Sequence, residues 1–146
     1  MIYFYLAIVL LVCVLIVYST NRKKVAPTQA DEYGYPSMIN RKDFEDVNKE
    51  IIVISFTSSV CDSCKGVWSK VQVLNSDSVA VQNVEYENES GKKLHQKYSI
   101  DAVPTTIVCN KDGITLKSYI GSVTATDLWA GVASARGADI EECSSH

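Results

Sequence analysis

The sequence predicts an α/β domain, a mixed four- to five-stranded β-sheet flanked by helices, joined to one N-terminal transmembrane helix. Short runs of strand-forming residues alternate with helical patterns between residues 39 and 137. The last two of these runs are separated by a turn sequence, Lys111-Asp112-Gly113, which predicts a hairpin. The apolar segment at residues 1–18 predicts the transmembrane helix.

Residues 1–18, MIYFYLAIVLLVCVLIVY, carry no charged side chain. With Ser19 and Thr20 included, a helix of this segment would be roughly 30 Å long, enough to cross the hydrocarbon core of a bilayer. The alternative is a cleaved signal peptide, which has a positive N-terminal region, an apolar stretch of about 7–15 residues and a small-residue cleavage site. This segment has no Lys or Arg ahead of it and is too long. We therefore expect residues 1–20 to be a retained single-pass anchor.

The charges after the anchor bear on the side of the membrane that holds the domain. Arg22, Lys23 and Lys24 follow the span, and the positive-inside rule places such residues, and hence the domain, in the cytoplasm. Because the assignment depends on three charges, an extracytoplasmic domain stays open. The count of five cysteines is odd, so it does not assign a redox compartment.

Residues 21–38 predict a linker, since VAPTQADEYGYPSM holds two of the three prolines and has no periodic pattern. After it, Phe44 and Val47 predict a short helix, and IIVISF (51–56) predicts a buried central strand. Further strands are predicted at 79–87, 105–109 and 114–120, with a possible short one near 37–39. Strands joined through helices imply parallel pairing, and the final hairpin adds antiparallel strands.

Helices are predicted from three patterns. From Cys64 onward, the apolar residues Val67, Trp68, Val71 and Leu74 share one helical face. A short helix follows in SGKKLHQKY. Residues 124–127, TATD, resemble a capping box that opens a last helix with Leu128, Trp129 and Val132 on its buried side. Residues 138–146 are predicted to be a flexible tail.

Cys61 and Cys64 lie where the buried strand gives way to this helix. A thiol at the first turn of a helix meets the positive end of the helix dipole, which favours the reactive thiolate. Cys61 would then attack a disulfide, and Cys64, one turn inward, would resolve the mixed disulfide. Asp62 opposes the thiolate and Lys65 partly offsets that effect, so we expect a moderately stabilised thiolate.

Pro104 follows Val103 at the entry of the strand 105–109, a position that proline tolerates. With a cis peptide bond, the backbone of Val103 would face outward and could bind an extended substrate peptide. An ordinary trans proline at the start of a strand is the alternative, and the local pattern leaves it open.

A zinc or copper site is the main rival for the cysteine pair. A closed structural zinc site takes four ligands, usually in two close pairs, and the remaining candidates His95, Cys109, Cys143 and His146 are scattered. We therefore expect no metal site, with Cys109 a buried small side chain and His95 a solvated helix residue. The net charge of −3 and the pI near 5.3 argue against a nucleic-acid partner.

Residues 39–137 resemble a thioredoxin domain. The resemblance is carried by RKDFEDV, IIVISF, CDSCK, YSIDAVPTTIV, the turn KDG and Gly121, all in the order of that family. It implies that Cys61 is the nucleophile, Cys64 the resolving thiol and Pro104 the cis-proline, with Val60, Asp62, Ser63 and Val103 contacting substrate. The anchor, the basic residues after it and FTSSVCDSC are most similar to the small membrane-anchored thioredoxin-domain proteins of actinobacteria.

The sequence departs from the family pattern at residues beside the cysteine pair and at two positions linked to proton transfer. Val60, Asp62 and Ser63 replace the usual Trp and Gly-Pro, while Ser55 and Asn83 stand where the family has a buried acid and a lysine. The resemblance implies a membrane-tethered oxidoreductase that reduces protein disulfides, needs no cofactor and is re-reduced by an upstream reductase. The alternative is a non-catalytic thioredoxin-fold interaction module at the membrane.

Overall fold

The computed structural model describes residues 11–13, 28–29, 35–46 and 48–143, and the side chains of all these except 28–29 and 138–143. Five strands form one sheet in the order β1-β5-β4-β2-β3. They are β1 (Thr28–Gln29), β2 (Ile51–Thr57), β3 (Val79–Glu85), β4 (Thr105–Cys109) and β5 (Thr115–Ile120). The helices are α1 (Asp62–Val71), α2 (Glu89–Lys97) and α3 (Ala125–Cys143), with 3-10 turns at Arg41–Asp43 and Gln72–Leu74. The predicted mixed sheet flanked by helices is confirmed.

The core lies on both faces of β2, all seven residues of which are buried. Successive side chains of a strand point to opposite faces. Ile51 and Val53 therefore pack with α1 and α3 on one face, while Ile52, Ile54 and Phe56 pack on the other with residues of α2 and the loop after it. β2 is buried between two apolar layers. Its carboxyl end is therefore a rigid support for the following segment, which contains Cys61.

The pairing of β4 differs from the prediction. β2 and β3 are parallel, as expected for strands joined through a helix, but β4 is antiparallel to β2. Because β3 runs parallel to β2, the chain leaves both strands at the same edge of the sheet, and the connection through α2 returns it to that edge. The chain therefore enters β4 at the same edge at which it leaves β2.

Other boundaries also differ. The predicted helix around Phe44 is only the 3-10 turn Arg41–Asp43, and Val47 lies outside the described residues. Within the predicted linker, Thr28–Gln29 pairs with β5, and Met38 bridges Ile114 near the predicted short strand. Helix α3 continues through Cys143, into the predicted tail.

Trp129 is 53% exposed, so its predicted burial is wrong. Leu128 and Val132 fill the space under α3, and one helical step turns Trp129 away from the sheet.

No helix among the described residues is both long and apolar enough to cross a bilayer. Of the predicted anchor, residues 1–20, only 11–13 are described, and these are helical.

Gly113 closes the β4–β5 hairpin with a φ of +83°, and its carbonyl accepts a hydrogen bond of 2.8 Å from the amide of Ile39. A Cβ at this position would lie 2.1 Å from the carbonyl oxygen of Ile39. We expect Gly113→Ala to lower the free energy of unfolding by at least about 1–2 kcal/mol, the ordinary cost of a left-handed residue, measured by chemical denaturation. Gly137→Ala is the matched control, because Gly137 lies in α3 with nothing within 4 Å of the added carbon. It should stabilise by about 0.5–1 kcal/mol, and an equal loss in both variants would contradict this explanation.

Candidate functional site

Cys61 is the N-cap of α1, with an extended backbone (φ −95°, ψ 109°), and no side chain caps the helix there. Cys64 lies in the first turn, and its amide donates a hydrogen bond to the carbonyl of Cys61 at 3.2 Å. The two sulfur atoms form a disulfide, with an S–S distance of 2.18 Å and Cα atoms 5.4 Å apart. The predicted position of this pair at the start of a helix therefore matches the structure.

The two sulfurs differ in access. Cys64 is 2% exposed, whereas Cys61 is partly exposed and Val60 beside it is 87% exposed. An incoming thiol or disulfide can therefore reach Cys61 from solvent but not Cys64. The hydroxyl oxygen of Ser63 lies 3.5 Å from the Cys61 sulfur, where its O–H can donate to a thiolate and favour the ionised form. Neither the exposed Asp62 nor Lys65 has an ion pair among the described residues.

The Val103–Pro104 peptide bond is cis. Pro104 is buried and its carbonyl accepts a hydrogen bond of 2.7 Å from the amide of Gly121, while Val103 is only half-buried. The register pairs Phe56 of β2 with Thr105 of β4, so the end of β2 and the start of β4 lie side by side. Both the segment leading to Cys61 and the Val103–Pro104 bond therefore lie at one edge of the sheet.

Glu87, two residues after β3, holds the segment that leads to the cysteine pair. Its carboxylate accepts a hydrogen bond of 2.5 Å from the hydroxyl of Ser58 and another of 2.9 Å from the amide of Ser59. The pKa of Glu87 is lowered, first by the bond from the Ser58 hydroxyl and then by that from the Ser59 amide. Sequence reasoning missed this residue. The signal was its place just beyond a strand that pairs in parallel with β2.

Because the pKa of Glu87 is lowered, its contribution to stability is present above the unfolded-state value of about 4.3 and is lost as the pH falls through the lower folded-state value. In Glu87→Gln the amide oxygen can still accept from Ser59, but the NH2 group must donate to the Ser58 hydroxyl instead of accepting from it and the negative charge is lost, so the variant should be less stable than wild type at pH 7. The difference should shrink towards pH 3. Denaturation midpoints at both pH values measure it, with Glu50→Gln, an exposed residue before β2, as control. A difference independent of pH would contradict the role given to the carboxylate.

Ser55 is fully buried in β2, and the register pairs it with Thr106 of β4 and Asn83 of β3. The hydroxyls of Ser55 and Thr106 have no hydrogen-bond partner among the described residues. Asn83 is exposed and accepts a hydrogen bond of 2.8 Å from the hydroxyl of Thr57. The positions of the family's acid and lysine thus hold groups that are poor proton acceptors near neutral pH.

His95 is 3% exposed, so its interpretation as a solvated residue is wrong. Its Nε2 atom lies 3.1 Å from the carbonyl oxygen of Val84, and its ring packs edge-on against Phe56 and Tyr86. His95 is buried because α2 lies close to β3: a Cβ on Gly91 would lie 2.0 Å from the Glu85 carbonyl oxygen.

Cys109 is fully buried, as predicted, and burial raises the pKa of its thiol to about 11. It is therefore an unreactive thiol at neutral pH. Cys13 is exposed, and the side chain of Cys143 lies outside the described part of the chain. In that described part, no three His, Cys, Asp or Glu side chains are grouped as a metal site would require.

The sequence profile of the family described as Thioredoxin matches residues 36–134. No curated protein sequence matches the chain significantly. Among solved structures, thioredoxin f from spinach chloroplast is 19% identical, with a TM-score of 0.54 over 70% of this chain and 95% of its own. The germline-specific thioredoxin Deadhead of Drosophila melanogaster is 23% identical, with a TM-score of 0.53 over 64% and 88%. Fasciola hepatica thioredoxin is also 23% identical, with a TM-score of 0.51 over 60% and 83%. At these identities, the structures show a shared fold.

Proposed function

This chain belongs to the thioredoxin family, and we propose that it is a membrane-tethered thiol–disulfide oxidoreductase that reduces disulfides in other proteins. The observation that carries the proposal is the Cys61–Cys64 disulfide at the start of α1, with one sulfur accessible and the other buried. A binding surface alone has no need of two thiols at exchange distance.

In the proposed reaction, the reduced Cys61 thiolate attacks one sulfur of a substrate disulfide. This forms a mixed disulfide and releases the other substrate sulfur as a thiolate, which takes up a proton. The Cys64 thiolate then attacks the Cys61 sulfur, releases the second substrate thiol and forms the Cys61–Cys64 disulfide. Two electrons pass to the substrate, so a dithiol-reducing partner, the upstream reductase, must return the pair to its reduced form.

The substrate would lie across the edge that holds Val103 and the exposed residue Val60. The backbone of Val103 would pair with an extended substrate segment, while Asp62 and Ser63 would contact the residues next to the attacked disulfide. Pro104 would fix the position of Val103 relative to the cysteine pair.

The anchor is part of the proposal, and its support is the uncharged segment 1–18 with the basic residues after it. On the same support, we place the chain with the small single-span thioredoxin-domain proteins of actinobacteria, with its domain on the cytoplasmic side. A topology reporter at the C-terminus tests the side: fluorescence of a green fluorescent protein without alkaline phosphatase activity supports the cytoplasm, and the reverse places the domain outside.

A second candidate function, a non-catalytic interaction module, is favoured by the hydroxyl at Ser55, which cannot serve as a proton acceptor for the resolving thiol near neutral pH. Without such an acceptor the second step of exchange is slower. The module would then use the surface around Val60 to bind a partner without turnover.

The midpoint potential of the Cys61–Cys64 pair separates these functions. It would be measured on the full chain in detergent, with Cys13→Ser and Cys143→Ser and the buried Cys109 retained, equilibrated in dithiol buffers. A value near about −270 mV supports a reductase. A value near about −120 mV makes the protein an oxidant and places its domain outside the cytoplasm. If no intramolecular disulfide forms, the interaction module replaces the enzyme.

A further inference from the structure

A cleft of about 660 Å³ opens beside the Val103–Pro104 bond. We propose that this cleft, named here the Tyr86 cleft, receives a lysine or arginine side chain of the protein substrate. The inference rests on the proposed function and specifies its substrate class. The residues of the cleft that carry the argument are Ser58, Tyr86, His95, Ile100, Asp101 and Val103.

The Tyr86 cleft lies where a bound substrate would pass. Ser58 is in the segment that leads to Cys61, and Val103 precedes the cis-proline. The side chains of an extended peptide alternate in direction, so residues two positions from the attacked cysteine project to the same side as that cysteine. A substrate strand paired with the backbone of Val103 can therefore place one such side chain in the cleft.

Two polar side chains of the cleft, His95 and Asp101, offer hydrogen-bond acceptors, while those of Ser58, Gln96 and Ser99 can both donate and accept. The Nε2 atom of His95 contacts the carbonyl of Val84, which can only accept, so Nε2 carries the proton. In the neutral ring Nδ1 is then an acceptor, and no described residue donates to it. Asp101 adds an exposed carboxylate. A second carboxylate, that of Glu87, accepts a hydrogen bond from the hydroxyl of Ser58. A guest that fits this wall is rich in donors and positively charged.

The remaining wall suits the stem of such a side chain. Ile100 and Val103 are partly buried apolar residues, and Tyr86, 43% exposed, presents an aromatic ring. The ammonium of Lys92 lies 5.8 Å from the centre of that ring, so this ring already has a cation near it. Lys92 is the positive charge that opposes a basic guest. It is exposed on a flexible stem, whereas the carboxylates of Asp101 and Glu87 both favour the guest.

The alternatives fit less well. An acidic side chain would face the carboxylate of Asp101, and the donors that it could meet in the cleft, on Gln96 and Ser99, carry no charge. An apolar side chain would remove water from the exposed Asp101 without replacing its hydrogen bonds, which costs binding free energy. Lysine and arginine combine an apolar stem with donors at the tip, and arginine offers more donors in a fixed plane.

The test compares peptides that differ only in charge at one position. Two disulfide-containing peptides carry either Arg or Gln two residues from the attacked cysteine, and the full chain in a neutral detergent reduces them. Each kcat/KM is divided by the rate with a small aromatic disulfide, dithiobis(nitrobenzoate). We expect the Arg peptide to be preferred about 3- to 10-fold, the range for one exposed ion pair with a cation–π contact.

The matched variants are Asp101→Asn and Asp112→Asn, the second in the turn at the opposite edge of the sheet. Asp101→Asn should lower the Arg/Gln ratio, and Asp112→Asn should retain the wild-type ratio. A wild-type ratio of one, with the small disulfide still reduced, overturns the cleft assignment and leaves the proposed function standing.

If neither peptide nor the small disulfide is reduced, the proposed function fails. The cleft assignment is then tested by measuring peptide binding. Fluorescent peptides with Ser in place of Cys would then be titrated with the oxidised chain and followed by anisotropy. Tighter binding of the Arg peptide that is lost in Asp101→Asn supports the cleft assignment, and equal binding of both peptides overturns it.

Discussion

Cys61→Ser is expected to lower the rate of disulfide reduction by at least about 1,000-fold, because the thiolate is the nucleophile and a hydroxyl does not ionise near neutral pH. Cys64→Ser should behave differently. Its Cys61 can still attack a disulfide, but nothing resolves the product, so a mixed disulfide with the substrate accumulates. The difference follows from access, since Cys61 is partly exposed and Cys64 is 2% exposed.

The measurement is steady-state reduction of a protein disulfide, with non-reducing electrophoresis to detect the mixed disulfide. Cys109→Ala is the matched control, because burial raises the pKa of the Cys109 thiol to about 11 and keeps it protonated at neutral pH. It should retain turnover. The assignment of roles is wrong if Cys64→Ser turns over as fast as wild type, or if Cys61→Ser is the variant that accumulates the mixed disulfide.

The site could be predicted from sequence wherever local chemistry decides the structure. The run IIVISF is apolar at five of six positions and rich in β-branched residues, which is typical of a strand buried on both faces, and β2 is buried throughout. The position of Cys61 follows from the change of pattern at the end of that run. The cis bond at Pro104, in contrast, was implied by family resemblance, since the local pattern permits either isomer.

Contacts across the fold could not be read from local patterns. His95 lies in a helix whose sequence, ESGKKLHQK, is polar, and only the close approach at Gly91 explains its burial. Glu87 carries no motif, and its bonds to Ser58 and Ser59 exist because β2 and β3 end side by side. The antiparallel pairing of β4 with β2 likewise has no local signature, because it depends on which strands meet across the sheet. These residues line or support the same edge, so the sequence predicts the reacting sulfurs better than their surroundings.

The largest expected change in stability is for Ser55→Asp. Ser55 is fully buried and has no hydrogen-bond partner among the described residues, so a carboxylate there would lose its hydration and could gain little beyond the unpartnered hydroxyl of Thr106 opposite it. Burial should raise the pKa of the new carboxyl above its unfolded value of about 3.9. Destabilisation by ionisation is therefore absent below that value and grows by about 1.4 kcal/mol per pH unit up to the folded-state pKa.

We thus expect Ser55→Asp to lose several kcal/mol more stability at pH 7 than at pH 4, measured by chemical denaturation at both values. Ser55→Ala is the control. It removes a buried hydroxyl that has no described partner, so it should be neutral or slightly stabilising, without pH dependence. Equal stability of Ser55→Asp at both pH values would show that position 55 is hydrated and would contradict its dry environment.

The rate of exchange in Ser55→Asp bears on function as well. The family resemblance implies that an acid at this position takes the proton of the resolving thiol, so a carboxylate with a raised pKa at position 55 should make the resolving step faster near neutral pH even though the fold is less stable. A faster rate would mean that Ser55 limits an otherwise complete enzyme. If neither the wild type nor a folded Ser55→Asp variant exchanges disulfides, the missing proton acceptor does not explain the lack of exchange, and the interaction module becomes the better account of this chain.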